Sequence, residues 1–175
     1  MTFSFKIFRA LTSINLFFSG FFLMMLLMTL LSGAVQVLAF LILIGAVFIH
    51  SILSLYLQKS LMDKSISLKE STPTGIWIMG AFALIYAGIL LVTCYVVIAY
   101  HDTVMAEMWK QMGQLTEEQK KQITPAVLNS TMNVIIGFFG IFGLMIIGNT
   151  FLSFNFLNKW KNRDNTTDID INLES

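Results

Sequence analysis

The sequence has little charge, one cysteine and two prolines. Only 12% of its 175 residues are charged, against about 25% in ordinary soluble domains, and 56% are hydrophobic. The net charge of +1 provides no general attraction to nucleic acid, so we expect no nucleic-acid partner. The single cysteine, Cys94, excludes an intrachain disulfide and any CxxC redox or zinc motif. The low charge and high hydrophobic content differ from those of an ordinary soluble domain.

Long apolar runs fill most of the chain. They cover residues 11–31, 35–57, 75–100 and 132–157. Each reaches the roughly 20 residues that a helix needs to cross about 30 Å of hydrocarbon. The sequence therefore predicts an all-α membrane protein, an antiparallel four-transmembrane-helix bundle in a lipid bilayer. Residues 1–161 form its one domain, 101–131 form a short outer helical segment, and the polar tail 162–175 is predicted to be disordered.

The first apolar run has some features of a secretory signal peptide. Lys6 and Arg9 precede it, and small residues follow it at Ser32–Ala34. Its length of about 20 residues exceeds the usual 7–15 of a signal core. We therefore expect it to be retained as the first span.

Lysine and arginine predict the orientation in the membrane. Three of the 11 lie in the 101–131 segment, at Lys110, Lys120 and Lys121, which leaves eight before the first run, between the second and third, and after the fourth. Because basic residues favour the cytoplasmic side, both termini are predicted to be cytoplasmic.

The cytoplasmic half of the predicted bundle contains a cluster of polar residues. Its members are His50, Asn149, Ser54 and Asn15. In the favoured interpretation, a neutral His50 imidazole bonds to Asn149 or to a hydroxyl and ties the second and fourth spans together. In the alternative, the cluster is a polar vestibule in which these four residues bind a ligand or relay a proton, since ionisable groups inside a membrane are often functional.

Haem, metal and nucleophilic chemistry are disfavoured at His50. The other histidine, His101, lies roughly 20 Å away at the outer end of the third run, so the pair cannot clamp one haem. No second metal ligand lies at suitable spacing near His50. Ser54 is four residues from His50 and shares its helix face, but no acidic residue orients the pair. We therefore expect no cofactor, no metal and no enzymatic activity.

Small residues form stripes in the third and fourth runs. They are Gly80, Ala83 and Ala87 in the third and Gly137, Gly140 and Gly143 in the fourth. Such stripes let helix backbones approach closely in lipid. Packing within the monomer is the favoured interpretation. The alternative is assembly as a homo-oligomer or within a larger membrane complex.

The chain resembles a family of small bacterial four-span inner-membrane proteins. The resemblance lies in the order of the spans, in the basic stop Asn158-Lys159-Trp160-Lys161, and in the stretch 106–125, AEMWKQMGQLTEEQKKQITP. Within that stretch, Thr116-Glu117-Glu118-Gln119 fits a helix capping box. The resemblance implies a bacterial inner-membrane location and no particular activity.

Two functions follow from these observations. The leading hypothesis is a non-enzymatic accessory or structural membrane protein that packs through its small-residue faces. The alternative is a small transporter or channel subunit that uses the polar layer around His50. A channel would require several copies around a shared axis, because four uncharged spans line a poor ion path.

Overall fold

Neither proline interrupts an apolar run, and both stand in the first turn of a helix, Pro73 in the third run's helix and Pro125 in the fourth's. The computed structural model describes residues 2–63, 65–112 and 124–173, of which 112 and 163–173 as backbone only, and contains no strand among them. The helices are α1 Phe3–Leu31, α2 Leu38–Met62, α3 Ser71–Ala99, α4 His101–Met112 and α5 Pro125–Leu173, with a 3-10 turn at Val35–Val37 before α2.

The predicted all-helical class and the four long apolar helices are confirmed. Helix α1, the 3-10 turn with α2, helix α3, and α5 as far as Asn162 are each long and apolar enough to cross a membrane. The helices extend beyond the predicted runs, α1 beginning at Phe3 and α5 at Pro125. Hydropathy marks only the part of a helix suited to hydrocarbon, whereas the hydrogen-bonded helix continues past it.

The structure describes most of the tail 162–175 and only part of the predicted outer segment 101–131. Helix α5 continues to Leu173, through most of the tail that the sequence predicts to be disordered. Extending an existing helix avoids the cost of nucleating a new one. In the outer segment, residues 101–112 form α4. The capping box at 116–119 lies outside the described residues.

A tight connection joins α1 to α2. Gly33 has a φ of 93°, a conformation that glycine adopts without steric cost. Beyond the turn the two helices pack closely, with the ring of Phe48 3.1 Å from the position a Cβ would take at Gly20. Leu23 packs over Gly45 in the same way.

The contacts divide the chain into two compact units. The first unit comprises residues up to Tyr86 together with those from Met145 onward, and the second comprises Ala87–Leu144. The first unit has an aromatic and aliphatic core in which Phe8 stacks on Phe156 with ring centroids 5.2 Å apart. Leu57, Ile76 and Leu157 in this core are fully buried.

The small residues do not share one role. In the first unit, a Cβ at Gly80 would lie 2.6 Å from Cζ of Phe154, and Ala83 is fully buried. In the second unit, Ala87 is fully buried and a Cβ at Gly143 would lie 3.3 Å from Leu91. By contrast, a Cβ at Gly137 or Gly140, the other two glycines of the stripe in α5, would meet no atom of the described residues within 4 Å. Packing inside the protein therefore uses only part of the predicted stripes.

Replacing Gly80 with alanine tests this close packing. The new methyl group would displace the ring of Phe154, which stacks on Trp77 at 4.0 Å and has little freedom to move. We expect Gly80→Ala to lower the free energy of unfolding in detergent by about 1–3 kcal/mol, the usual cost of overpacking. The matched control, Gly137→Ala, adds the same methyl group to open space and should cause no loss. Equal stabilities of the two variants would contradict this account.

Candidate functional site, a buried polar layer

The first unit contains a layer of polar side chains that are each at most 2% exposed. On each helix most of them recur every three or four residues, as in Thr12, Asn15 and Ser19, and so lie along one side of that helix. We call this set the polar layer: Thr12, Asn15 and Ser19 from α1; His50, Ser51, Ser54, Gln58 and Ser60 from α2; and Asn149, Thr150 and Ser153 from α5. All four predicted ligand or relay residues belong to it.

The hydroxyl of Thr12 joins three helices. It accepts a hydrogen bond from Nε2 of Gln58 at 2.8 Å. It also lies 2.7 Å from Oδ1 of Asn149 and 2.7 Å from the carbonyl of Phe8, and its one proton can be donated to either oxygen. Helices α1, α2 and α5 therefore meet at a single side chain that the sequence analysis did not single out.

Two further contacts join α2 to α5. The hydroxyls of Ser54 and Ser153 are 3.1 Å apart. Farther along both helices, the indole Nε1 of Trp160 donates to Oγ of Ser60 at 2.9 Å. Serine hydroxyls thus supply the connection between the second and fourth spans that the sequence analysis expected from His50.

His50 is buried and forms no side-chain hydrogen bond with any described residue. Its side chain is 1% exposed, and its ring meets that of Phe154 edge-on with centroids 6.3 Å apart. Neither ring nitrogen has a partner in hydrogen-bonding geometry among the residues that the structure describes. The expected bond from His50 to Asn149 or to a hydroxyl is therefore not formed.

The remaining predicted site residues also have defined environments. Asn15 donates weakly from Nδ2 to the carbonyl of Met145 at 3.4 Å. Ser54 bonds to Ser153, so the structure does not form a Ser54–His50 pair. Because every member of the polar layer is buried, the layer is enclosed by protein rather than forming an open vestibule.

The second unit contains His101, whose ring has hydrogen-bond partners. The sequence analysis placed His101 at the end of the third run but did not identify these partners. Nε2 of His101 lies 2.8 Å from Oδ1 of Asn129, and its Nδ1 lies 3.2 Å from Oδ1 of Asp102. This ring links the start of α4 to the start of α5. The hydrogen bond to Asp102 and, after it, the one to Asn129 raise the pKa of His101 above its usual value.

The second unit also contains an apolar cavity of about 380 Å³ beside α4, the helix that begins at His101. Val97, Val104, Leu128 and Ile136 are among its lining residues. Cys94 is at its wall, and its thiol donates to the carbonyl of Ile136 at 3.6 Å. A cavity of this composition accommodates hydrocarbon and supplies no charged group for chemistry.

Comparison with protein-family models, with curated proteins and with solved structures finds no match for this chain. The function must therefore be argued from the chain's own residues.

The His101 contacts predict a pH-dependent stability. Because the pKa of His101 is higher in the folded protein than its unfolded value of 6.5, protonation stabilises the folded state. This contribution is fully present below pH 6.5 and is lost as the pH rises through the folded-state pKa. We expect the difference in thermal midpoint between the wild type and His101→Gln to shrink as the pH is raised. A difference that stays constant or grows would contradict the prediction.

Proposed function

We propose that the chain is a non-enzymatic accessory or structural membrane protein that packs with a second copy or with a larger membrane complex. The observation that carries this proposal is the open surface around Gly137 and Gly140. These two residues are adjacent on one face of α5, and a Cβ at either would meet nothing within 4 Å in the described part of the chain. In lipid, where apolar surface alone does not drive helices together, an open small-residue notch is a feature of helix–helix interfaces.

The residues around the notch support the same interpretation. Val134, Ile141 and Leu144 are each more than 60% exposed and lie on the same side of α5 as Gly137. A partner helix seated against the glycines would cover these apolar side chains as well. The other small residues of the stripes already have neighbours, so they are not available for a partner.

The proposal includes an arrangement in the membrane. We propose an antiparallel four-helix bundle with both termini in the cytoplasm, based on the short α1–α2 turn and the excess of Lys and Arg near the termini and in the α2–α3 connection. Helix α4 then begins the outer segment. The resemblance to bacterial four-span proteins supports an inner-membrane location.

A transporter or channel subunit is the second candidate. It is favoured by the polar atoms of His50, Asn15 and Asn149 that have no partner, because polar groups in transmembrane segments often mark a pathway. The enclosure of the polar layer counts against it, since an ion path needs access to water. The accessory role therefore agrees with more of the observed geometry.

The mass of the protein purified from its native membrane in mild detergent tests the proposal. We expect the wild type to have the mass of an assembly, and Gly137→Leu to reduce it to that of one chain without changing the thermal midpoint. The midpoint should hold because a Cβ at position 137 would meet no atom of the described residues within 4 Å.

Two control variants make this result specific. Val92→Leu changes an exposed residue of α3 and should leave both mass and midpoint unchanged. Gly143→Leu, which meets Leu91, should lower the midpoint. A wild type that is a monomer with no co-purifying protein would contradict the accessory role, and an assembly that survives Gly137→Leu would exclude this notch as the interface.

A further inference from the structure

A groove of about 500 Å³ lies within the first unit, where the start of α1 meets the end of α2 and the part of α5 just beyond its apolar run. We call it the Lys159 groove. Its lining residues are Thr2 and Phe5 at the start of α1, Leu61 and Met62 at the end of α2, and Phe156 and Lys159 in α5. The groove therefore combines apolar walls with one ammonium group and one hydroxyl.

Aromatic packing fixes one wall of the Lys159 groove. Phe5 meets Phe156 edge-on with ring centroids 5.4 Å apart, and Phe8 stacks on Phe156. The side chain of Phe156 is only 6% exposed, whereas Met62 in the same groove is 47% exposed. A wall that is already ordered can hold an apolar ligand without the entropic cost of fixing loose side chains.

The ammonium group of Lys159 supplies a positive charge at this wall. Its Nζ lies 5.1 Å from the centroid of the Phe156 ring. The described ion pairs lie in the second unit, so Lys159 has no acidic partner in the described part of the chain. Asp63, which follows Met62, instead accepts hydrogen bonds from the backbone N–H and the hydroxyl of Ser65. The charge of Lys159 is thus available to an anionic group.

The position of Lys159 along α5 suits a lipid headgroup. It lies two residues beyond the fourth apolar run, about 3 Å along the helix. Its neighbour Trp160 is a residue type enriched at membrane–water interfaces. The first turn of α1 contains no acidic residue, so the positive end of that helix dipole adds to the charge beside the groove. The ammonium group therefore lies at the level of lipid phosphates, at the edge of the hydrocarbon.

We infer that the Lys159 groove binds one anionic phospholipid, with an acyl chain along Phe5 and Phe156 and the phosphate at the ammonium of Lys159. No carboxylate lines the groove to attract the cation of a zwitterionic headgroup. The Phe156 ring is of a type that can hold a quaternary ammonium, but it already faces Lys159. In the proposed orientation this end of the bundle meets the cytoplasmic leaflet, whose negative surface potential reflects its anionic lipids.

Native mass spectrometry of the full chain, released from detergent micelles, tests this inference. The protein is titrated with phosphatidylglycerol and with phosphatidylcholine of the same acyl chains. We expect one lipid to bind first, and phosphatidylglycerol to bind about fivefold more tightly, a ratio equivalent to the roughly 1 kcal/mol supplied by one basic residue near a membrane surface. Glycerol phosphate, which lacks acyl chains, should not displace it. Equal binding of the two lipids, or displacement by glycerol phosphate, would overturn the inference.

Variants at two lysines of α5 locate the site. Lys159→Gln should reduce the preference for phosphatidylglycerol to near one. Lys161→Gln removes the same charge from an exposed position outside the groove and should keep the preference. A preference that survives Lys159→Gln, or that both variants lose equally, would contradict the assigned contact. Loss of the lipid on assembly would assign the groove to a contact between chains instead.

A variant of the apolar wall tests the position of the acyl chain. Met62→Gln places a polar group on an exposed part of this wall and should weaken the binding of both lipids alike. Unchanged binding of both would contradict an acyl chain in the groove. These measurements leave the notch at Gly137 untouched, so their failure would not bear on the proposed accessory role.

Discussion

The hydrogen bonds of the Thr12 hydroxyl are the interaction on which the first unit most depends. Lipid chains are as apolar as leucine, so helices in a bilayer gain little from apolar burial alone. A side chain that bonds to two other helices fixes both their rotation and their depth. Thr12 does this for α2 through Gln58 and for α5 through Asn149. Removing the hydroxyl would leave two buried amides with fewer partners than they need.

The close packing around Gly80 depends on the same arrangement. With α2 and α5 held by the Ser54–Ser153 contact, Phe154 is placed over Gly80 and stacks on Trp77. His50 lies beside both Phe154 and Gly80, which explains why its ring is sealed from solvent. Because the polar groups face inward, the surface offered to lipid or to a partner is apolar. The proposed accessory role follows from this division.

The sequence predicts the helices well because run length and hydropathy depend only on local composition. It also groups His50, Asn149, Ser54 and Asn15, and all four belong to the buried polar layer. It does not predict which polar side chains meet. That depends on the rotation of each helix, and helices that are apolar on nearly all faces carry little information about rotation. The sequence analysis expects His50 to bond to α5, but among the described residues Ser54 makes such a bond and His50 does not.

Unknown helix rotation also explains why the sequence does not predict the contacts of the α5 glycines and of His101. Gly137, Gly140 and Gly143 form one regular pattern in the sequence. Among the described residues, only at Gly143 would an added Cβ meet a neighbour, the side chain of Leu91. His101 bonds to Asn129, which is 28 residues away, and no periodic signal connects the two. A sequence shows which residues are suited to contacts, while pairwise contacts require the arrangement of the helices.

A double-mutant cycle between Thr12 and Gln58 tests the central claim most directly. The free energy of unfolding in detergent is measured for Thr12→Val, for Gln58→Leu and for the double variant. The account predicts a coupling energy on the order of 1 kcal/mol, typical of a hydrogen bond between membrane helices. Thr150→Val is the control, because Thr150 bonds to the carbonyl of Ile146 in its own helix, and it should show no coupling to Gln58. Additive effects of Thr12→Val and Gln58→Leu would contradict the account.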